Sequence, residues 1–145
     1  MDERFGEERV GKIALAVLGK LAASPEGATV LALTGDLGAG KTTLAQAIAR
    51  ELGVQAPVQS PTFVISKYYD TADGRFDRLV HVDAYRIEEE SELAPLRWDE
   101  LLRLPRTLIV VEWPERIKGA LPPTAHWYRL AHDEGERSIS YVSHP

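Results

Sequence analysis

The chain contains no cysteine in 145 residues, which excludes disulfide staples and thiolate metal sites together. No apolar run approaches the ~20 residues that a membrane-spanning helix needs. The opening decapeptide, MDERFGEERV, is charged where a secretory signal would be apolar. These absences lead to the expectation of a cytoplasmic protein with no membrane association. A basic surplus is missing too, since 22 acidic residues against 17 basic ones give a formal net charge of −5. Proteins that bind nucleic acid on their own usually show a basic stripe, because phosphate contacts supply most of their affinity. Here Lys41, Arg50, Lys67, Arg75, Arg78, Arg97, Arg103 and Arg106 are scattered. Direct nucleic-acid binding by this chain alone is not expected.

What is present is an ordinary globular composition, 44% apolar and 27% charged, at a length that fits one domain with a real core. Residues 6 to 23 read as an amphipathic helix, with Val10, Ile13, Ala14, Val17, Leu18 and Leu21 on one face. Thr29 to Thr34 (TVLALT) is apolar without alternation, as a strand buried on both faces requires. Gly35 to Gly40 is a glycine-rich turn, Thr42 to Leu52 is helical, and Gly53 caps it. Gln55 to Pro61 reads as a loop. Thr62 to Asp70 and Asp77 to Ala84 read as strands around a TADGR turn. Ile87 to Leu104 reads as two short helices broken by Pro95, Thr107 to Trp113 as a third buried strand, and Pro114 to Pro123 as a loop. His126 to Ser143 alternates about a turn and reads as an antiparallel hairpin. Three apolar strands separated by helices predict an α/β fold of the P-loop NTPase type. Its central parallel sheet would carry antiparallel additions, including the C-terminal hairpin. No linker or repeat divides residues 1–145, which read as a single P-loop ATPase domain.

Gly35-Asp36-Leu37-Gly38-Ala39-Gly40-Lys41-Thr42 fits G-x-x-x-x-G-K-[ST], a match that chance gives in about one chain in 200 of this length. Glycines at 35, 38 and 40 open backbone conformations closed to other residues and let phosphate oxygens approach. Successive amides then form an anion nest at the positive end of a helix. Lys41 supplies a mobile charge for the β- and γ-phosphates, and the Thr42 hydroxyl can ligate magnesium. The cofactor expectation is therefore ATP with Mg2+. A structural glycine turn is the bland alternative, and the position between strand and helix argues against it.

Such a loop needs carboxylates at the ends of neighbouring strands. Asp83 ends LVHVD and Glu112 ends LIVVE, so both belong at the carboxyl edge of the sheet, where α/β folds bind ligands. Either could instead cap a strand or pair with an arginine such as Arg86, and spacing does not tell which would meet metal and which water. Thr62 in SPTF stands where switch-type P-loop proteins sense the γ-phosphate, or is simply a turn entering a strand. His81 alternates with Asp83 and so shares its face, with a packed core histidine as the default. Trp113 reads as core or as a lid over the nucleotide, with core as the default. The chain shows no D-x-x-G after a buried strand and no N-K-x-D segment, which speaks against a conventional small GTPase. The stretch 114–123, with Arg116 and Lys118, is thin for a nucleoside monophosphate kinase lid.

Together, GDLGAGKTT (35–43), SPTF (60–63), HVDAYR (81–86) and VEWP (111–114) resemble the TsaE family, also called YjeE, over residues 1 to about 123. The resemblance implies weak ATP hydrolysis in the formation of threonylcarbamoyladenosine at position 37 of ANN-decoding tRNAs. It implies a component that is not the transferase but acts through TsaD and TsaB, with tRNA met only through those partners. By position, Lys41 would bind phosphate together with the loop residues through Thr43, Thr42 and Glu112 would hold magnesium, and Asp83 would lie by the γ-phosphate. Thr62 would be the switch residue and Trp113 would pack beside the nucleotide. The family often has Gly-Arg in the last hairpin; here Gly135 is followed by Glu136 and only then by Arg137, the residue left to reach base or phosphates. Outside this family, a small-molecule kinase and an ATP-dependent binding module are the competing readings.

Overall fold

The computed structural model describes residues 2–5, 9–55, 66–72, 74–133 and 135–142. Three strands expected from unbroken β-branched and apolar runs form where those runs lie. They are β2 (Thr29–Thr34), β4 (Arg78–Asp83) and β5 (Thr107–Glu112). With β1 (Asp2–Phe5), β3 (Ser66–Asp70), β6 (His126–Asp133) and β7 (Glu136–Val142) they make one seven-stranded sheet, ordered β1-β7-β6-β2-β5-β4-β3. Four neighbouring strands, β6-β2-β5-β4, are parallel. The antiparallel pairs β3–β4, β6–β7 and β1–β7 finish the two sides. The fold is thus the expected parallel centre with antiparallel additions, and the C-terminal hairpin joins it through β6.

Helices α1 (Val10–Leu18) and α2 (Lys41–Glu51) cover one face of the sheet. In α1, Val10, Ile13, Ala14, Val17 and Leu18 are buried at helical spacing. The expected helix of 6 to 23 stops at Leu18 on its carboxyl side, where Lys20 and Leu21 donate to Val17 O and Leu18 O, three residues back, and the last turn tightens instead of continuing. Leu21 still packs on the core from beyond the helix. Residues 2–5 are strand, not the approach to a helix. They pair antiparallel with Arg137 to Ser140 of β7, a tertiary pairing that so short and charged a segment does not announce.

The opposite face is covered by shorter pieces. A 3-10 helix at Glu90–Leu96 contains Pro95, and α3 (Trp98–Leu102) follows it. The break between them falls at Arg97, held left-handed at φ 55°, two residues after the proline expected to cause it. Residues 114–120, expected as loop, form a second 3-10 helix. Trp113 turns the chain at φ 59°, Pro114 presets the first helical residue, and Ile117 is buried against the sheet. Alternation divides the strands cleanly. Leu31, Leu33, Leu79, Leu108 and Val110 face α1 and α2, while Val30, Val80, Val82, Ile109 and Val111 face the other layer. Each fully buried aliphatic side chain contributes about 2 kcal/mol relative to exposure. Register then fixes the site: His81 lies opposite Val110 and Asp83 opposite Glu112, at the carboxyl end and on the α2 side.

Candidate functional site

The loop between β2 and α2 is shaped by its glycines. Gly35, Gly38 and Gly40 have φ of 142°, 79° and 104°, values that side chains with a Cβ rarely adopt. At Gly35 space is limiting as well, since a Cβ there would run into the backbone carbonyl of Leu130 on β6. At Gly40 a Cβ would stand 3.0 Å from Cδ of Arg137, so the β7 arginine lies directly against the loop. Helix α2 starts at Lys41, and its first-turn amides have no intrahelical acceptor. Those amides and the helix dipole together favour an anion at this end.

Lys41 is buried and its ammonium folds back over the loop. It donates to Asp36 O at 2.8 Å and to Gly35 O, and sits 4.2 Å from the ring centroid of Trp113. Burial pushes its pKa below the ordinary lysine range, against the opposing pull of Glu112, Glu115, Asp36 and Asp83. The cation is therefore held by carbonyl dipoles and an indole face, partners that a phosphate oxygen outbids in charge.

Beside it, Thr42 Oγ1 donates to Glu112 Oε1 at 2.8 Å, joining the first turn of α2 to the end of β5. Glu112 is 3% exposed. Its other oxygen, Oε2, lies 2.5 Å from Nε2 of His81, itself 1% exposed. Asp83 stands one strand over and accepts from the Tyr85 amide at 3.0 Å. The Trp113 and Tyr85 rings pack 5.0 Å apart, and the Arg116 guanidinium lies 5.9 Å from the Tyr85 ring.

Lys41, Thr42, Asp83, Tyr85, Glu112 and Trp113 border a cleft of about 320 Å³. Of the residues expected in a nucleotide site, the cleft is lined by Leu37, Gly38, Gly40, Lys41, Thr42, Thr43, Asp83, Glu112, Trp113 and Arg137. Gly35, Asp36 and Ala39 line the far side of the same loop, in a second cleft with Glu115 and Arg129. Thr62 lies outside the described residues. Trp113, read as core by default, packs partly on the second apolar layer and also borders the cleft. Sequence reasoning passed over Tyr85 and Glu115. Tyr85 sits inside HVDAYR and could have been read as a wall of the site. Glu115 receives the Thr34 hydroxyl at 2.7 Å, a contact that no local pattern signals.

A family model for the threonylcarbamoyl adenosine biosynthesis protein TsaE matches residues 10–139. The chain belongs to the TsaE family. A curated TsaE of Bacillus subtilis (strain 168) is 46% identical over 93 residues, which are 64% of this chain and 55% of that protein. The Haemophilus influenzae TsaE is 30% identical over 141 residues, 97% of this chain and 85% of that protein. In several of these alignments the chain spans only about half the length of the curated relative. The crystal structure of Bacillus subtilis YdiB is similar over 97% of this chain and 83% of its own, with a TM-score of 0.74 and 30% identity. In a chain of this family the cleft beside Lys41 and Thr42 thus sits on a P-loop-like fold. No helix among the described residues is long and apolar enough to cross a membrane.

Proposed function

We propose that this chain binds ATP with magnesium on the loop Gly35–Thr42, hydrolyses it slowly, and serves tRNA threonylcarbamoyladenosine formation as the ATPase component. On this reading residues 1–145 act as one cytoplasmic P-loop domain that works through TsaD and TsaB and meets tRNA only through them. The observation that carries the reading is the meeting of Lys41, Thr42 and Glu112 at one helix N-terminus, with Thr42 Oγ1 2.8 Å from Glu112 Oε1.

The donor set suits magnesium. A hydroxyl and a carboxylate are hard oxygen ligands, and Mg2+ is usually held by one or two carboxylates plus substrate phosphates. Once bound, the ion would neutralise charge on the β- and γ-phosphate oxygens. The remaining roles fall to the chain. Lys41 exchanges its carbonyl partners for phosphate oxygens. Asp83, on the same edge, orients the attacking water by accepting its hydrogen bond. Trp113 closes one wall, Arg137 reaches over Gly40 toward the phosphates or base, and Thr62 serves as the switch residue that the resemblance assigns to it.

The decisive measurement is ATP hydrolysis with and without purified TsaD and TsaB plus tRNA. ADP and free phosphate rising together, and faster with the partners, is the expected result. Stoichiometric phosphorylation of a small acceptor would replace this reading with a kinase. Asp83→Ala with turnover and complex function intact would reduce the protein to a binding module.

A further inference from the structure

We propose that His81 is a positioning residue: its imidazole Nε2–H holds Oε2 of Glu112, so that Oε1 faces Thr42 and the magnesium position. This rests on the reading of Thr42 and Glu112 as the magnesium ligands, and adds a residue to which that reading gives no part. The starting observation is a polar side chain inside an otherwise apolar stretch of strand. In β4, Leu79, Val80, His81 and Val82 are all buried, and His81 alone among them is polar. Burying an imidazole among aliphatic side chains is unfavourable unless hydrogen bonding compensates.

Its partner explains its place. His81 and Asp83 share the α2 face of β4, and Glu112 on β5 is opposite Asp83 in register, so His81 meets Glu112 diagonally. The contact is 2.5 Å, against 2.8 Å for Thr42 on the other carboxylate oxygen. An ionised carboxylate only accepts hydrogen bonds, so the imidazole nitrogen facing it carries the proton. On the other side of the ring, Nδ1 is buried with no hydrogen-bond partner among the described residues. A proton there would be a buried donor without an acceptor, which is worse than a bare lone pair. Both ends of the ring therefore select the Nε2–H tautomer.

The consequence is geometric. With Oε2 held by His81 and Oε1 bonded to Thr42, the Glu112 side chain has less freedom to lose when a cation displaces the Thr42 hydrogen. Groups that orient a metal-binding carboxylate commonly matter about 10- to 100-fold in metal affinity. A leucine of similar bulk would leave Oε2 buried and unsatisfied, free to swing Glu112 away from the site.

The test uses the full chain and two readouts. Nitrogen-15 NMR of the ligand-free protein should show His81 as the Nε2–H tautomer, with its proton resonance displaced by Glu112→Gln. An Nδ1–H tautomer, or a resonance indifferent to Glu112→Gln, overturns the proposal without any histidine variant having to fold. Magnesium titration of the protein saturated with a non-hydrolysable ATP analogue should show His81→Leu weakened about tenfold or more. Analogue binding in EDTA should be unchanged. His81→Gln, which offers an amide N–H near the Nε2 position, should recover most of the loss. A folded His81→Leu with wild-type magnesium affinity, or with equal losses in EDTA and magnesium, also overturns it. Wild-type protein that binds no nucleotide at all would instead sink the ATP reading, and the NMR arm would still judge the His81–Glu112 arrangement.

Discussion

The two faces of the sheet are built from the same strands and differ by one residue of register, yet among the described residues His81, Asp83 and Glu112 of β4 and β5 all gather on one of them. Toward the short helical pieces, Val80, Val82, Ile109 and Val111 pack against Ile87, Leu93, Trp98 and Ile117. Among the described residues the buried polar residue on that side, Thr107, lies at the amino end of β5, where it donates to Pro105 O and accepts from Arg78. Toward α2, the same strands end in His81, Asp83 and Glu112, and the helix brings Lys41 and Thr42 down to meet them. Leu79, Leu108 and Val110 fill the deeper positions of that face. Parallel strands aligned by apolar packing thus present a small set of charged ends at one point, and period-two alternation decides which face receives them.

If this division holds, substitutions on the two faces should fail in different ways. The largest effect is expected from Ile109→Ala, which empties a fully buried position on the apolar face and should cost about 3–4 kcal/mol of stability. Where the variant remains folded, nucleotide affinity should stay at the wild-type level. Chemical denaturation beside calorimetric titration checks both, and a large affinity loss would show that the faces are not separable. Lys41→Ala should do the reverse. It removes a charged hydrogen-bond donor, worth about 2–3 kcal/mol or roughly 100-fold in ATP affinity, while the ligand-free melting temperature changes little. Unchanged ATP binding in that variant would count against the phosphate cradle. Glu112→Ala should be smaller and narrower. Magnesium dependence of ATP binding should weaken by roughly tenfold or more, with magnesium-free binding less affected. Equal losses in both would make Glu112 structural.

The apolar face and the P-loop were both legible in the sequence, for related reasons. TVLALT, LVHVD and LIVVE are unbroken runs whose burial follows from composition, and the glycine spacing of 35, 38 and 40 has few other uses. Asp83 and Glu112 could be placed at the sheet edge because each ends such a run. The part that remained hidden depends on contacts between strands. His81 looked like a packed histidine because nothing in β4 itself reveals the diagonal neighbour on β5. Glu115 and Thr34 are 81 residues apart. The pairing of Asp2–Phe5 with β7 joins opposite ends of the chain. Residues 114–120 read as loop because proline and glycine dominate the local signal, whereas burial of Ile117 gives that segment its turns.

The smallest predicted effect probes the same contrast at its rim. Tyr128, on β6, is 1% exposed on the α1/α2 side and meets the Tyr141 ring edge-on at 5.6 Å. Burial raises its pKa above the ordinary 10.0, and the nearby Tyr141 adds to the rise. The sign follows from proton binding. Above pH 10 the unfolded chain loses the Tyr128 proton while the folded chain still holds it, so the folded state binds more protons and stability falls with rising pH. Stability from this group is therefore fully present below pH 10 and is lost as pH climbs through the raised folded value. Thermal melts of wild type and Tyr128→Phe from pH 8 to 11 isolate it. The wild type should lose stability above pH 10 more steeply than the variant, and the two slopes should match below that. Parallel curves throughout would mean that the phenol has a route to water in the folded protein, and that the α2-side layer is less closed at β6 than at β4 and β5.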